Sequence, residues 1–258
     1  MATEISKTQI DRLGDRLRKG NITDSDLRLL DEYRRSFTAT YGTVASAIRH
    51  QLNLEPTGRP AKSTTSIAEK LRRESIRLSQ IQDIAGCRLV VSDLSEQDRV
   101  TGSLAELFPT TNEIDRRQKP SHGYRAVHVI VKLDTKAVEI QVRTTLQQLW
   151  AELSEKLSDL IDPTIKYGGG DASLQMLLTK TSTVVAKQEE TELDLLRTQQ
   201  TLTGLSSESE MTDDDSKTII DLQKICDSYQ TVLIETRREL IELFQSLIEN
   251  PPRPKQEA

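Results

Sequence analysis

The stretch Lys119 to Arg143 constrains this chain more than any other, because two short segments in it alternate apolar and other residues on either side of a two-residue break. Val127, Val129, Val131 and Leu133 recur at spacing two, and Val138, Ile140 and Val142 do so again after Asp134-Thr135. A period of two belongs to a pleated strand with one buried face, so the stretch predicts a β-hairpin. A loop at Asp134-Thr135 sets Val131 opposite Val138, Val129 opposite Ile140 and His128 opposite Gln141. Slipping that register by one would face each valine with a charged or amide residue, so the alternation selects one pairing.

The other face of the second strand carries Glu139, Gln141 and Arg143, which project the same way at intervals of about 6 to 7 Å. A polar strand face is most simply a solvated one. The loop before this hairpin argues otherwise, since Lys119, His122, Gly123, Tyr124 and Arg125 bring cations and an aromatic ring beside a glycine.

Upstream, Leu30, Tyr33, Phe37, Tyr41, Val44, Ile48 and Leu52 recur at three and four, predicting one long amphipathic helix over residues 25–52 after a shorter one. The segment KGNITDSD between them reads as a turn with capping residues. Beyond Pro56–Pro60, Ser66-Ile67-Ala68-Glu69 matches a capping box and predicts a helix to about Ser79 with Ile67, Leu71 and Leu78 inward. Arg59, Lys62, Lys70, Arg72, Arg73 and Arg77 crowd this region. Cations at a helix start suit phosphates, although a solvated basic face is the plainer account. Ile84 to Val91 is a compact apolar strand introduced by Asp83, and Gly86 inside it suggests a bulge that would bring Asp83 and Arg88 to one site.

Residues 92–110 predict a helix and TTNEIDRRQKP a loop into the hairpin. After Arg143 the period changes: Leu146, Leu149, Trp150, Leu153, Leu157 and Leu160 form a helical core stripe, stopped at Asp162-Pro163 and followed by the turn Tyr167-Gly168-Gly169-Gly170. Two long helical patterns follow, about 171–203 and 216–249, with the acidic linker SSESEMTDDDSK between them. In the second, Ile219, Leu222, Cys226, Tyr229, Leu233, Leu240, Leu243 and Leu247 keep heptad spacing, which suits either a hairpin folding back on the domain or an oligomerisation coil.

A net charge of −5 means that any binding of nucleotides or nucleic acid rests on local basic patches. Cys87 and Cys226 lie in apolar patterns outside any metal spacing. The first residues lack a signal-peptide run and no stretch approaches the about 18 apolar residues of a membrane span, so a cytoplasmic protein with no membrane partner is expected. The motifs GxxxxGK[ST], GxGxxG, HExxH and GxSxG are absent, and three histidines leave little for a metal cluster or a His-based hydrolase. What remains is a pair of carboxylates, Asp83 and Glu139, among many cations. Mg²⁺ takes one or two carboxylates and completes its shell with phosphate oxygens and water, so the pair suits Mg²⁺ and a polyphosphate, although carboxylates beside arginines are more often structural ion pairs.

Arg59-x-x-Lys62-Ser63, Ile81-Gln82-Asp83-Ile84-Ala85-Gly86-Cys87-Arg88, Lys119-Pro120-Ser121-His122-Gly123-Tyr124-Arg125-Ala126-Val127-His128 and Val138-Glu139-Ile140-Gln141-Val142-Arg143-Thr144 resemble, in order, the motifs of the RelA/SpoT synthetase domain over roughly residues 40–170. The chain looks most like the small alarmone synthetases. That resemblance implies an α+β fold: a nucleotidyltransferase-like mixed sheet flanked by helices, here with a C-terminal pair of long helices. The domains implied are N-terminal helices over 1–54, the synthetase domain over 55–170 and a helical hairpin over 171–258.

The implied activity is Mg²⁺-dependent transfer of pyrophosphate from ATP to the 3′-hydroxyl of GDP or GTP, making (p)ppGpp. Asp83 would ligate Mg²⁺, with Glu139 a second ligand or the general base. Arg59, Lys62, Lys70 and Arg88 would hold ATP. Tyr124 would stack on the acceptor base, Lys119 and Arg125 would bind phosphates, and His122, His128, Gln141 and Arg143 would complete the acceptor side. Two positions depart from the family pattern: His122 stands where a small residue or asparagine is usual, and Ser154-Glu155 replaces Glu-His. Both bear on the acceptor, so a toxin-type relative acting on the 3′ CCA end of tRNA, or making adenosine alarmones, is the alternative. Such a relative could have an antitoxin partner, and the heptad helices imply a homo-oligomer.

Overall fold

The computed structural model describes residues 5–109, 111–206 and 212–252. The fold is α+β, with a five-stranded sheet flanked by helices and two long helices at the C-terminal end, as the sequence leads one to expect. The helices are α1 (Lys7–Lys19), α2 (Asp24–Arg35), α3 (Thr38–Ala47), α4 (Thr64–Arg73), α5 (Leu94–Leu107), α6 (Thr145–Leu160), α7 (Ala172–Ser206) and α8 (Asp213–Glu249). The strands are β1 (Thr57–Arg59), β2 (Ala85–Val91), β3 (Thr111–Asp115), β4 (Val127–Leu133) and β5 (Lys136–Thr144), in the order β1-β2-β5-β4-β3.

The hairpin has the register its alternation demands. Val131 faces Val138, Val129 faces Ile140 and His128 faces Gln141. Val127, Val129, Val131, Val138, Ile140 and Val142 are all at most 1% exposed, and each such burial contributes about 1.5–3 kcal/mol before entropy is counted. Asp134 enters the two-residue turn at φ 53°, a conformation Asp tolerates better than most residues.

Four local expectations give way to other physics. The long helix over 25–52 is broken at Ser36-Phe37. There the Ser36 hydroxyl donates to the Tyr33 carbonyl at 2.6 Å, in place of helix continuation, and the Tyr33 and Phe37 rings meet edge to face at 5.2 Å. The helix expected from Ser66 starts earlier and ends earlier: Ser63 is its cap, accepting from the Ser66 amide at 3.2 Å, and the chain turns extended at Glu74. TTNEIDRRQKP is not all loop, because Thr111–Asp115 forms the sheet-edge strand β3. Gly86 makes no bulge on its β1 side, where the ladder runs in register from Thr57↔Arg88 to Arg59↔Gly86. Its lack of a side chain serves close approach, since an added Cβ would lie 3.0 Å from the Glu139 carbonyl oxygen.

The chain divides into two compact units whose limits cut across the sequence order. The first comprises Met1–Leu89, Arg99–Ile114 and Val127–Val142, the second Val90–Asp98, Asp115–Ala126 and Arg143–Ala258. In the first, α1 presents Leu13 and Leu17, both fully buried, and α4 contributes Ile67 and Leu71. Cys87 is buried there, and burial pushes its thiol up to about 12. In the second, Leu146, Trp150, Leu153, Leu157, Leu178, Val185 and Phe244 form the core, with Tyr124 packed against it. Leu160, expected in the α6 stripe, is 59% exposed at the helix end.

The heptad residues of α8 divide between two faces. Cys226 is buried and Leu240 and Leu247 pack on or into this core, whereas Leu222, Tyr229 and Leu243 are 43%, 61% and 48% exposed. The expected linker is shorter than SSESEMTDDDSK: α7 reaches Ser206 and α8 begins at Asp213 with Thr212 as its cap, while residues 207–211 lie outside the described part.

Candidate active site

Within the first unit, Asp83 sits just ahead of β2 with both carboxylate oxygens engaged. Lys62 Nζ donates to one at 2.6 Å and Lys70 Nζ to the other at 2.9 Å. Lys62 arrives because its backbone amide donates to the Ile84 carbonyl at 2.6 Å, and Lys70 because it lies on the helix capped by Ser63. Burial pushes the Asp83 carboxyl up, but the two ammonium groups outweigh it and hold it below the usual carboxylate range.

Glu139, in the same unit, is the second of the two expected site carboxylates, and its geometry follows from the hairpin register. His128 Nδ1 donates to one oxygen at 2.9 Å, which fixes the histidine tautomer because a carboxylate can only accept. Gln141 Nε2 donates to the other at 2.7 Å from two residues along the same strand. Burial raises Glu139 while the bonds from His128 and Gln141 lower it; the field of Asp83 opposes them, and the net value lies below the ordinary one. Glu139 is therefore ionised at neutral pH. Arg88, on the same strand face as Gly86, is half-buried, and Arg59 is exposed. Of the residues expected to hold ATP, Lys62 and Lys70 thus meet on Asp83, and His128 and Gln141, expected on the acceptor side, meet on Glu139.

Within the second unit, Arg143 Nη2 donates to the Tyr124 hydroxyl at 2.9 Å, its guanidinium carbon lies 5.0 Å from the Tyr124 ring centroid, and Nη1 donates to Gln148 Oε1 at 3.0 Å. This braces an aromatic ring with a cation, an arrangement suited to stacking on a base. Lys119 and His122 are exposed. Arg125 turns inward: Nε donates to Ser182 Oγ at 3.1 Å and Nη1 to the Arg117 carbonyl. Arg117 itself is held by Asp115 at 2.7 Å and Asp98 at 2.6 Å. Sequence reasoning did not find Gln148, Ser182 or Glu189. Their signal is a polar residue at an inward position of a helical stripe, as in Leu178, Ser182, Val185 and Glu189, at spacings of four, three and four.

Two carboxylates with ionised, hard oxygen donors suit Mg²⁺, which needs only one or two from the protein. Among the described residues no group of three or more His, Cys, Asp or Glu side chains could hold a metal, so a zinc-type cage is not what these residues offer.

Residues 58–158 match the family model described as the region found in RelA / SpoT proteins. The Bacillus subtilis GTP pyrophosphokinase YjbM is 30% identical over 150 residues, which cover 52% of this chain and 67% of that protein. The chain belongs to the RelA/SpoT family. A second B. subtilis GTP pyrophosphokinase, YwaC, is 31% identical over 121 residues, 40% of this chain and 58% of YwaC. A Mycobacterium bovis protein, Mb1401, is 43% identical over 111 residues, and the match spans 42% of this chain but only 41% of that relative. The structure of B. subtilis small alarmone synthetase 1 bound to its product pppGpp aligns with a TM-score of 0.50 at 23% identity, covering 68% of this chain and 97% of that one; this likeness is one of fold. Among the described residues no helix is long and apolar enough to cross a membrane.

Proposed function

We propose that this RelA/SpoT-family chain transfers the β,γ-pyrophosphate of ATP to the 3′-hydroxyl of GDP or GTP, making (p)ppGpp. The observation that carries the proposal is the Glu139 carboxylate, half-buried, ionised and oriented by His128 and Gln141, in the same unit as a lysine-held Asp83. The names of YjbM and YwaC support the reaction class.

In the step proposed, the acceptor 3′-oxygen bonds to the β-phosphorus of ATP, the bond from that phosphorus to the α,β-bridging oxygen breaks, and AMP leaves with its electron pair. Glu139 takes the hydroxyl proton. Asp83, with Glu139 as a second ligand, would hold Mg²⁺, which when bound neutralises charge on the phosphates. Lys62 and Lys70 neutralise Asp83 until ATP takes their charge, and with Arg59 and Arg88 they bind its phosphates. Tyr124, braced by Arg143, stacks on the acceptor base, while Lys119 and His122 meet its exposed side.

The tRNA alternative needs cations near residues 116–125 to face RNA phosphates, and the internal bonds of Arg117 and Arg125 lend it no support. Incubation with γ-labelled ATP and, separately, GDP, GTP, AMP or tRNA tests the reading. Label should move to GDP and GTP, and transfer to none of the four would sink it. We also propose a homo-oligomer through α8, whose Leu222, Ile225, Tyr229 and Val232 form an exposed stripe at coiled-coil spacing. Val232→Lys should lower the mass measured by light scattering, and an unchanged mass removes α8 from any interface.

A further inference from the structure

We propose that α7, through Ser182, is the positioning element of the 121–125 loop, and that Arg125 serves there as a loop-fixing residue rather than a phosphate ligand. The inference rests on the reading of that loop as the one that meets the acceptor. Helix α7 lies wholly beyond residues 58–158, so the family match does not account for it.

Gly123 and Arg125, at the loop's centre, are held from the C-terminal side of the chain. Gly123 is buried at φ +90°, and a Cβ there would stand 2.7 Å from Trp150 Cζ2 and 3.3 Å from both the Leu178 carbonyl oxygen and Ser182 Cβ. Only glycine fits, for reasons of both backbone and space. Ser182 Oγ donates to the Gly123 carbonyl at 2.5 Å and accepts from Arg125 Nε at 3.1 Å, so one hydroxyl spends its donor and an acceptor on the loop. Trp150 Nε1 donates to the Leu178 carbonyl at 2.8 Å, tying α6 to the same point of α7. His122, at φ 53°, lays its ring over Gly168, where a Cβ would come within 2.2 Å of Nδ1.

Lower on the same face, Glu189 accepts from Thr144 Oγ1 and from Gln147 Nε2 at 3.0 Å, holding the start of α6. Leu178, Ser182, Val185 and Glu189 are all at most 3% exposed. A face that merely packed would be apolar throughout. Here its two polar positions reach the loop and the strand end that carry Tyr124 and Arg143. A stacking residue is useful only when held in place, and small misplacements cost large factors in rate or affinity.

The test compares full-length Ser182→Ala, Arg125→Lys, their double mutant and Val185→Ala, which trims the same face without touching these hydrogen bonds. Calorimetric binding of GDP and of a non-hydrolysable ATP analogue is measured alongside hydrogen exchange of residues 121–125. Ser182→Ala, which removes both of the hydroxyl's bonds to the loop, should weaken GDP about tenfold, within the range for losing buried hydrogen bonds, leave the ATP analogue unchanged and speed exchange in the loop. Arg125→Lys keeps the charge but should reproduce that pattern, and the double mutant should be no worse than either single change. Val185→Ala should lower the melting temperature without altering the GDP-to-ATP ratio.

Wild-type GDP binding and loop exchange in Ser182→Ala would overturn the proposal, as would full GDP affinity in Arg125→Lys. Should Ser182→Ala not fold, Arg125→Lys alone decides. Should the wild type bind no guanine nucleotide, the functional reading falls, and the exchange rate of residues 121–125 still decides whether α7 fixes the loop.

Discussion

The cluster around Asp83 and Glu139 is held by its own neighbourhood, whereas the loop carrying Tyr124 is held from far along the chain. Gln141 reaches Glu139 from two residues away and His128 from across one hairpin, while Lys70 and Lys62 come from 13 and 21 residues before Asp83. Ser182 reaches Arg125 and Gly123 across 57 and 59 residues. The groups proposed for chemistry are therefore set by local pattern and charge, and the group proposed for recognition by a helix outside the family match. Changes in the first cluster should act on rate, and changes in the second on the acceptor.

The largest test of that contrast is Glu139→Gln. It keeps the bond from His128 but removes the proton acceptor, so kcat should fall about 10²- to 10⁴-fold with ATP-analogue binding retained. Steady-state turnover near wild type would reduce Glu139 to support of the strand. Next is Tyr124→Ala, which should weaken the acceptor by about 1–3 kcal/mol, the range for losing a stacked base, and leave ATP untouched. Equal losses for both nucleotides would erase the distinction between the clusters.

The smallest effect expected is on stability. Burial holds the Glu189 carboxyl above its ordinary value, against the hydrogen bonds from Thr144 and Gln147 that favour the charged form. A carboxyl raised in the fold contributes stability fully present below its unfolded value and lost as pH rises through the folded one. Glu189→Gln, which mimics the protonated form, should flatten the decline of melting temperature as pH rises from the ordinary carboxylate value to the raised one of the fold, and change little below that window. A melting profile parallel to wild type across that range would show that Glu189 carries no such cost.

Legibility in the sequence follows the same divide. The hairpin register was readable because a slip would bury charge, and His128, Glu139 and Gln141 could be grouped by parity alone, whereas Arg143, of the same parity, turns to Tyr124 and Gln148. Asp83 was recognisable from its motif, but its lysine partners were not, because two side chains converging on one carboxylate is a tertiary event. Strand β3 was missed since TNEID has no apolar alternation, and an edge strand half in water needs none. The break at Ser36 was hidden under an apolar period that continues through it. Ser63 and Ser66 both satisfy a capping pattern, and only backbone geometry chooses between them. The hold of α7 on the loop was invisible because hydrophobic periodicity reports which face turns inward, not what it meets there.

Cys87, finally, has a practical side. Thiolates, not thiols, attack maleimides and disulfides, and a buried thiol pushed up to about 12 offers almost none at neutral pH. Cys226 is likewise buried, at 7% exposure. A single cysteine introduced on a surface position such as Lys119 could then be labelled with a fluorophore in the otherwise unaltered chain, giving a direct optical report of nucleotide arrival.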